Sequence, residues 1–387
     1  MPVRVAGCSP REIPASLLYD MNRIAFSLAV VGLLSSRVAL AQSTAVGDSV
    51  PRYSRVTSVR ELSGGRVVVA DAGLSRVDLL SPELRFIRAA ATSGEGPLEY
   101  RSSDWLLGGA SDSTIVVDDI GGSLLVLDAS ARAIGKRLIR RVASGTRTLV
   151  TEVRGGDAAG RLYFTGIRPN ATPGAPRDSV PLLRWTPTTD VVDTLTWLRV
   201  PVPGLRRSEA NPDSMIHVPA DPWEWRDAWS VAPDGRVAVV RGDDYHLEWF
   251  DGAARVASGR ALEVARVPVS PDDVQRLRDT KFTISTPQGP RTISAATGAQ
   301  LSSVKPFIAE GAPPRVDPEG RVWVERSRAS SDVLVTYDLF DAGGEPVLTV
   351  QLADRAHVVG FGDDAAYVTK PLADGGHVIA KGRRIRR

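Results

Sequence analysis

The stretch Thr92–Tyr100, "TSGEGPLEY", decides the fold. Two glycines around a glutamate read either as a loop that cradles phosphate or as a turn joining strands. A phosphate loop needs a lysine and a Ser/Thr beside its glycines, and a helix behind it whose amides point at the anion. Thr92–Tyr100 has no such lysine, and no helical period follows it. The stretch reads as a crossover between β-rich units, and those units recur along the whole chain.

Each unit begins with a turn of small or acidic residues and continues as a strand-forming run. The copies are Leu62–Ala70 (LSGGRVVVA), Ala110–Asp118 (ASDSTIVVD), Asp157–Thr165 (DAAGRLYFT), Ala232–Val240 (APDGRVAVV), Asp317–Glu325 (DPEGRVWVE) and Phe361–Thr369 (FGDDAAYVT). Four of them carry Gly-Arg at the same place: Gly65-Arg66, Gly160-Arg161, Gly235-Arg236 and Gly320-Arg321. Glycine supplies the positive φ that a tight hairpin demands, and the Val, Ile, Tyr and Trp that follow suit a pleated strand. A third strand succeeds each copy (RVDLLS, SLLVLD, LLRWTP, HLEWFD, VTYDLFD, HVIAKG), and in four copies a fourth (FIRAAAT, GKRLIRR, TLTWLRV, PVLTVQL). Four antiparallel strands in about 40–50 residues make a propeller blade. Anchors at 65, 113, 160, 235, 320 and 364 lie 44 to 48 residues apart, except for gaps of 75 and 85 that hold insertions. The expected fold is all-β: a six-bladed β-propeller, with seven as the alternative count because the larger gap has room for a degenerate blade.

The insertions have their own signals. Ser270-Pro271-Asp272-Asp273 carries an N-cap, a proline at the first helical position and a capping box, which predicts one short helix within about 270–282. Gly204–Trp225 is rich in Pro and Asn and reads as a long loop. The last unit has three strands before the chain ends, so residues about Asp48–Tyr53 are expected to supply its outer strand and close the ring.

Ala70–Tyr100, Trp229–Val240 and Val316–Val324 resemble NHL-type repeats and the exported bacterial six-bladed propellers related to them. The likeness runs over most of Val56–Arg387. It implies the architecture but no activity, since propellers host binding modules and enzymes alike. Six-bladed lactonase-like enzymes hold a divalent metal among acidic and amide residues at the channel mouth; their motifs do not occur here.

Met21–Gln42 has the layout of a signal peptide: Arg23, the apolar run Ile24–Leu34, and the small-x-small site Ala39-Leu40-Ala41. Residues 1–20 then read as an upstream extension, 21–41 as the leader, and 42–387 as a single propeller domain. The run is too short to span a bilayer. Cys8 in "VAGC" lacks the apolar segment that a lipidation box requires, and it is the sole cysteine, so the mature chain has no disulfide. Loss of residues 1–41 removes four arginines and two acids and takes the net charge from +3 to +1, which is no nucleic-acid footprint. The basic tail Lys381–Arg387 reads as a solvated end, and Asn170 heads a lone glycosylation sequon.

The four histidines, His217, His246, His357 and His377, have no zinc spacing, and no Gly-x-Ser-x-Gly elbow occurs. Asp71, Asp118, Asp119, Asp243 and Asp244 follow the second strands of their blades. Turns after the second strand and crossovers emerge on the same propeller face, so these aspartates are expected to share a rim with Glu95, Glu99 and His246. They read either as turn residues bonded to their own backbone or as a face for a polar ligand or cation, with Ca²⁺ as the ion it would take and no other cofactor. Arg241 and Arg326 are placed to neutralise such a rim. Trp223, Trp225 and Trp229 read as packing between blades or as an aromatic platform for sugar or peptide. Two functions fit. One is a non-enzymatic binding propeller of the bacterial envelope, periplasmic or extracellular and monomeric, with an envelope protein, peptide or polar small molecule as partner. The other is a metal-assisted hydrolase or lactonase.

Overall fold

A computed structural model describes residues 38–39 and 51–383, apart from 104, 140–141, 145, 149, 167–177, 202–203, 208–214, 219–220, 287–288 and 295–300. Most of the leader, Cys8, Asp48–Val50, Asn170, parts of the 204–225 insertion and the last four residues of the tail lie outside that set. Val38–Ala39, within the segment read as leader, runs parallel to Val350–Gln351.

Six blades form the fold. In chain order from the channel outward their strands are Val56–Glu61, Val67–Asp71, Arg76–Leu80 and Phe86–Ser93 in blade 1, then Trp105–Gly108, Thr114–Asp118, Ser123–Leu127 and Ala133–Leu138 in blade 2. Blade 3 is Val150–Gly156, Leu162–Gly166, Ser179–Thr186 and Val191–Arg199, and blade 4 is Ala228–Val231, Val237–Arg241, His246–Asp251 and Ala254–Ser258. Blade 5 is Arg315–Val316, Val322–Glu325, Val335–Phe340 and Pro346–Leu352; blade 6 is His357–Phe361, Ala365–Pro371 and His377–Arg383.

Side-chain alternation builds the ring. Along Val67–Asp71, Val68 and Ala70 pack against blade 2 while Val67 and Val69 pack against blade 6. A strand's two faces thus bury in two different blade interfaces. Six buried clusters, one between each successive pair of blades, complete the circuit. The inner strands meet closely at the junction of blades 6 and 1, where a Cβ on Gly360 would sit 2.2 Å from the Val59 carbonyl oxygen.

The Gly-Arg repeat is a clasp. In blades 1, 3, 4 and 5 the glycine amide bonds to a carbonyl three residues back (Gly65 to Leu62, Gly160 to Asp157, Gly235 to Ala232, Gly320 to Asp317), and φ at the four glycines is 75–90°. In blades 3 and 5 the turn aspartate also binds the arginine and an aromatic two residues further on. Asp317 accepts from Arg321 Nε at 2.8 Å and Trp323 Nε1 at 2.9 Å; Asp157 accepts from Arg161 Nε at 2.5 Å and the Tyr163 hydroxyl at 2.7 Å.

The helix is Pro271–Asp279, with both halves of the capping box formed by Ser270 and Asp273. The larger gap holds this helix and a hairpin, Lys281–Thr286 against Gly289–Ser294, and not a seventh blade among the described residues. The segment expected to be a long loop contains a hairpin, Gly204–Arg207 against Met215–Val218. Its apolar Leu205, Met215, Ile216 and Val218 supply strand character that the segment's prolines and asparagine hid. The crossover Thr92–Tyr100 is itself part strand, with Thr92–Ser93 parallel to Glu99–Tyr100. Among the described residues of the expected outer strand, Tyr53 makes the backbone closure: it and His377 exchange two hydrogen bonds, at 2.9 and 2.8 Å.

Candidate functional site

First strands begin, and second strands end, on the face that also carries the crossovers. A cavity of about 500 Å³ opens there at the channel mouth. Five blades line it: Arg55 lies just before the first strand of blade 1, Trp105 and Asp119 belong to blade 2, Arg154 to blade 3, Arg315 and Glu325 to blade 5, and His357 and His377 to blade 6. Glu310, in the segment leading into blade 5, reaches the same space.

The expected rim residues divide by environment. Asp71 is fully buried and accepts the amides of Ser54, Arg55, Gly73 and Leu74 at 2.7–3.2 Å. Asp118 is equally buried and accepts the amides of Ser102 and Gly121 and the Ser102 and Ser123 hydroxyls at 2.8–3.3 Å. Burial opposes ionisation of Asp118, but the amides of Gly121, Arg101 and Ser102 and the Ser123 hydroxyl outweigh it and lower its pKa. Both side chains tie the incoming crossover to the turn after the second strand. Asp119 lines the cavity. Glu95 is exposed and pairs with Arg101 at 3.2 Å. Asp243, Asp244 and His246 do come together, with ligand atoms within 4.8 Å of one another, on the single turn of blade 4. His246 Nδ1 is already hydrogen-bonded to Asp244, and Asp243 accepts the Asp244 amide at 3.0 Å.

The arginines are engaged internally. Arg241 bonds to Asp227 at 2.7 Å and Glu248 at 2.6 Å; Arg326 forks onto Asp338 at 2.5 and 2.6 Å. Arg76 completes the pattern with Asp78 at 2.9 Å, so blades 1, 4 and 5 each hold a buried third-strand carboxylate on an arginine. The tryptophans separate. Trp223 lines a second cavity beside the helix, Trp225 stacks beneath Arg199 with 4.0 Å from guanidinium to ring centroid, and Trp229 faces the channel.

Four residues at the mouth were not singled out in the sequence. Trp105, Arg315 and His357 are the opening residues of their inner strands, and Glu325 closes the second strand of blade 5. That position becomes readable only once the blade phase is known: the first residues of the innermost strands in blades 1, 2, 5 and 6 all line the mouth. Glu325 is buried and accepts the Tyr337 hydroxyl at 2.7 Å; it also meets His357 Nδ1 at 2.9 Å, and Nε2 has no hydrogen-bond partner among the described residues. Burial, then the Glu325 charge, push the Tyr337 hydroxyl well above its ordinary value, so it remains a donor. Trp105 stands between two guanidinium groups, Arg154 at 5.8 Å and Arg315 at 5.7 Å from its ring centroid. Burial lowers Arg315 to about 10, against the nearby Tyr337 and Glu325, which leaves it charged at neutral pH. No helix among the described residues is long and apolar enough to cross a membrane.

No family model matches the sequence, and no curated protein matches it. Solved structures do match in fold. A candidate exported protein of Bacteroides fragilis aligns over 92% of this chain and 97% of its own at 12% identity, with a TM-score of 0.52. A member of the DUF4221 family from Bacteroides vulgatus aligns over 91% of this chain and 99% of its own at 11% identity, also with a TM-score of 0.52. What this chain has in common with them, at such identities, is the six-bladed architecture.

Proposed function

We propose that the protein is a non-enzymatic binding propeller of the bacterial cell envelope, exported by a leader cleaved near Gln42, that takes a polar ligand at the channel mouth. The carrying observation is the cavity of about 500 Å³, into which five blades direct charged and aromatic side chains. Its size suits one small molecule or a chain end. Trp105, Arg154, Arg315, Glu325, His357 and His377 are on strands of the ring, and the remaining lining comes from loops that this scaffold positions.

The experiment is native mass spectrometry of protein isolated from the envelope, wild type against Ala312→Trp, which fills the cavity wall. A bound mass in the wild type and its loss in the variant is the expected result. Equal retention in both refutes the channel as the site. The alternative, a metal-assisted hydrolase of the lactonase kind, draws on Asp243, Asp244 and His246. Three groups on one exposed turn, two of them already bonded together, fall short of the six to eight oxygens that calcium takes. Metal analysis of the purified protein separates the two readings.

A further inference from the structure

We propose that the channel cavity binds a carboxylate-bearing small molecule, with Arg315 as the clamp. The inference rests on the binding-propeller reading and names its ligand class.

Arg315 stands apart from three other inward-facing arginines of the blades. Arg241, Arg321 and Arg326 each contact a buried carboxylate. Arg315 makes one hydrogen bond among the described residues, from Nη2 to the Thr57 carbonyl at 2.8 Å, and no carboxylate lies within ion-pair distance. A guanidinium has two forked edges, and Nη2 contributes one N–H to each. The bond to Thr57 spends one edge and leaves the other whole, which is the geometry that takes a carboxylate through two parallel hydrogen bonds. Burial disfavours the Arg315 charge and the nearby Glu325 and Tyr337 offset only part of that cost, which an anionic ligand on the open edge would reduce further.

The surroundings select the anion. The Trp105 ring faces Arg154 as well as Arg315, and its negative π-face offsets the repulsion between the two guanidinium groups. Asp119, Glu310 and Glu325 line the same cavity. Arg55, Arg154 and Arg315 match Asp119, Glu310 and Glu325 in number, so the lining is formally neutral, and a singly charged carboxylate on the Arg315 fork meets less repulsion there than a doubly charged phosphate. His357 is fixed in orientation by Glu325 and offers Nε2 as a second polar contact.

The test is calorimetric titration of the full chain with monocarboxylates from acetate to benzoate, each beside its neutral amide, and with inorganic phosphate. Wild type is compared with Arg315→Gln and Arg315→Lys, and circular dichroism checks that both variants fold. Carboxylates should bind, and their amides should bind about tenfold or more weakly, the weight of a charge-assisted hydrogen bond. Arg315→Gln should lose the same factor, and Arg315→Lys should recover only part of it, because it restores charge without the fork. Equal affinity for acid and amide, preference for phosphate, unchanged binding in Arg315→Gln, or no binding of any carboxylate each overturns the proposal. Amide binding that survives Arg315→Gln but is lost in Ala312→Trp would overturn the clamp alone and leave the channel as the binding site.

Discussion

Asp317→Ala should be among the most destabilising single changes in the chain. Asp317 is 1% exposed, and its carboxylate accepts four hydrogen bonds: the amides of Glu319 and Arg321 at 3.0 Å, Arg321 Nε at 2.8 Å and Trp323 Nε1 at 2.9 Å. Truncation strands a buried guanidinium and a buried indole N–H at once. Breaking a buried ion pair from one side costs about 3–5 kcal/mol, and an orphaned buried donor about 1–3 kcal/mol. Arg321 keeps Glu319 at 2.8 Å, which holds the sum to about 4 kcal/mol. That is a large share of the roughly 5–15 kcal/mol that holds a domain folded. Asp317→Asn retains an acceptor for the amides and should cost about half as much. Asp234→Ala supplies the exposed control: its side chain is 53% exposed, its pairing with Arg236 is solvated, and its loss should cost less than about 1 kcal/mol. Urea unfolding followed by tryptophan fluorescence measures all three. Equal midpoints for Asp317→Ala and Asp234→Ala would refute the idea that burial of the clasp sets its strength.

Removing residues up to Tyr53 should lower the melting temperature by several degrees, since it deletes both backbone bonds to His377 and the buried Tyr53 ring; an unchanged melt would show that the seam carries no stability. Asp118 has its folded pKa depressed below its ordinary value of 3.8, so its stabilising contribution is complete above that value and disappears as pH falls through the lower folded one. Unfolding followed between pH 5 and pH 2 should therefore show a shallower acid limb in Asp118→Asn than in wild type. Millimolar Ca²⁺ should leave the melting temperature unchanged; a saturable rise abolished by Asp243→Ala or Asp119→Ala would place a cation on that face and revive the hydrolase reading. Intact mass of the exported protein should correspond to a start at or near Gln42.

The blades were legible because period-2 alternation and a repeating Gly-Arg turn are local signals, and local chemistry decides where a hairpin turns. The helix was legible for the same reason: Ser270 and Asp273 announce its start within four residues. The pairing of Gly204–Arg207 with Met215–Val218 was hidden because proline and asparagine dominate the composition of that segment. The mouth residues were harder. Asp71 and Asp118 look like ligands in sequence because an aspartate after a strand fits either role; only the fold reveals four donors around each. Arg315 and His357 were passed over because nothing local marks them. Their importance comes from standing at the openings of two inner strands that the ring brings to one entrance, far from each other's turns.

The contact between Tyr53 and His377 sets where this ring can come apart. Blades 1 to 5 are sheets of four or more strands within themselves, while blade 6 has three and, among the described residues, gains its outer backbone pairing from Tyr53 alone. Amide hydrogen exchange should report that asymmetry. The amides of Tyr53 and His377 would trade protons through a local unlatching that leaves the remaining interfaces intact, well before the second-strand amides of blades 1 and 4 become accessible. The protein is then a belt with one buckle, and opening the closed circle there asks for two hydrogen bonds, one tyrosine and the single core between blades 6 and 1 rather than for all six cores.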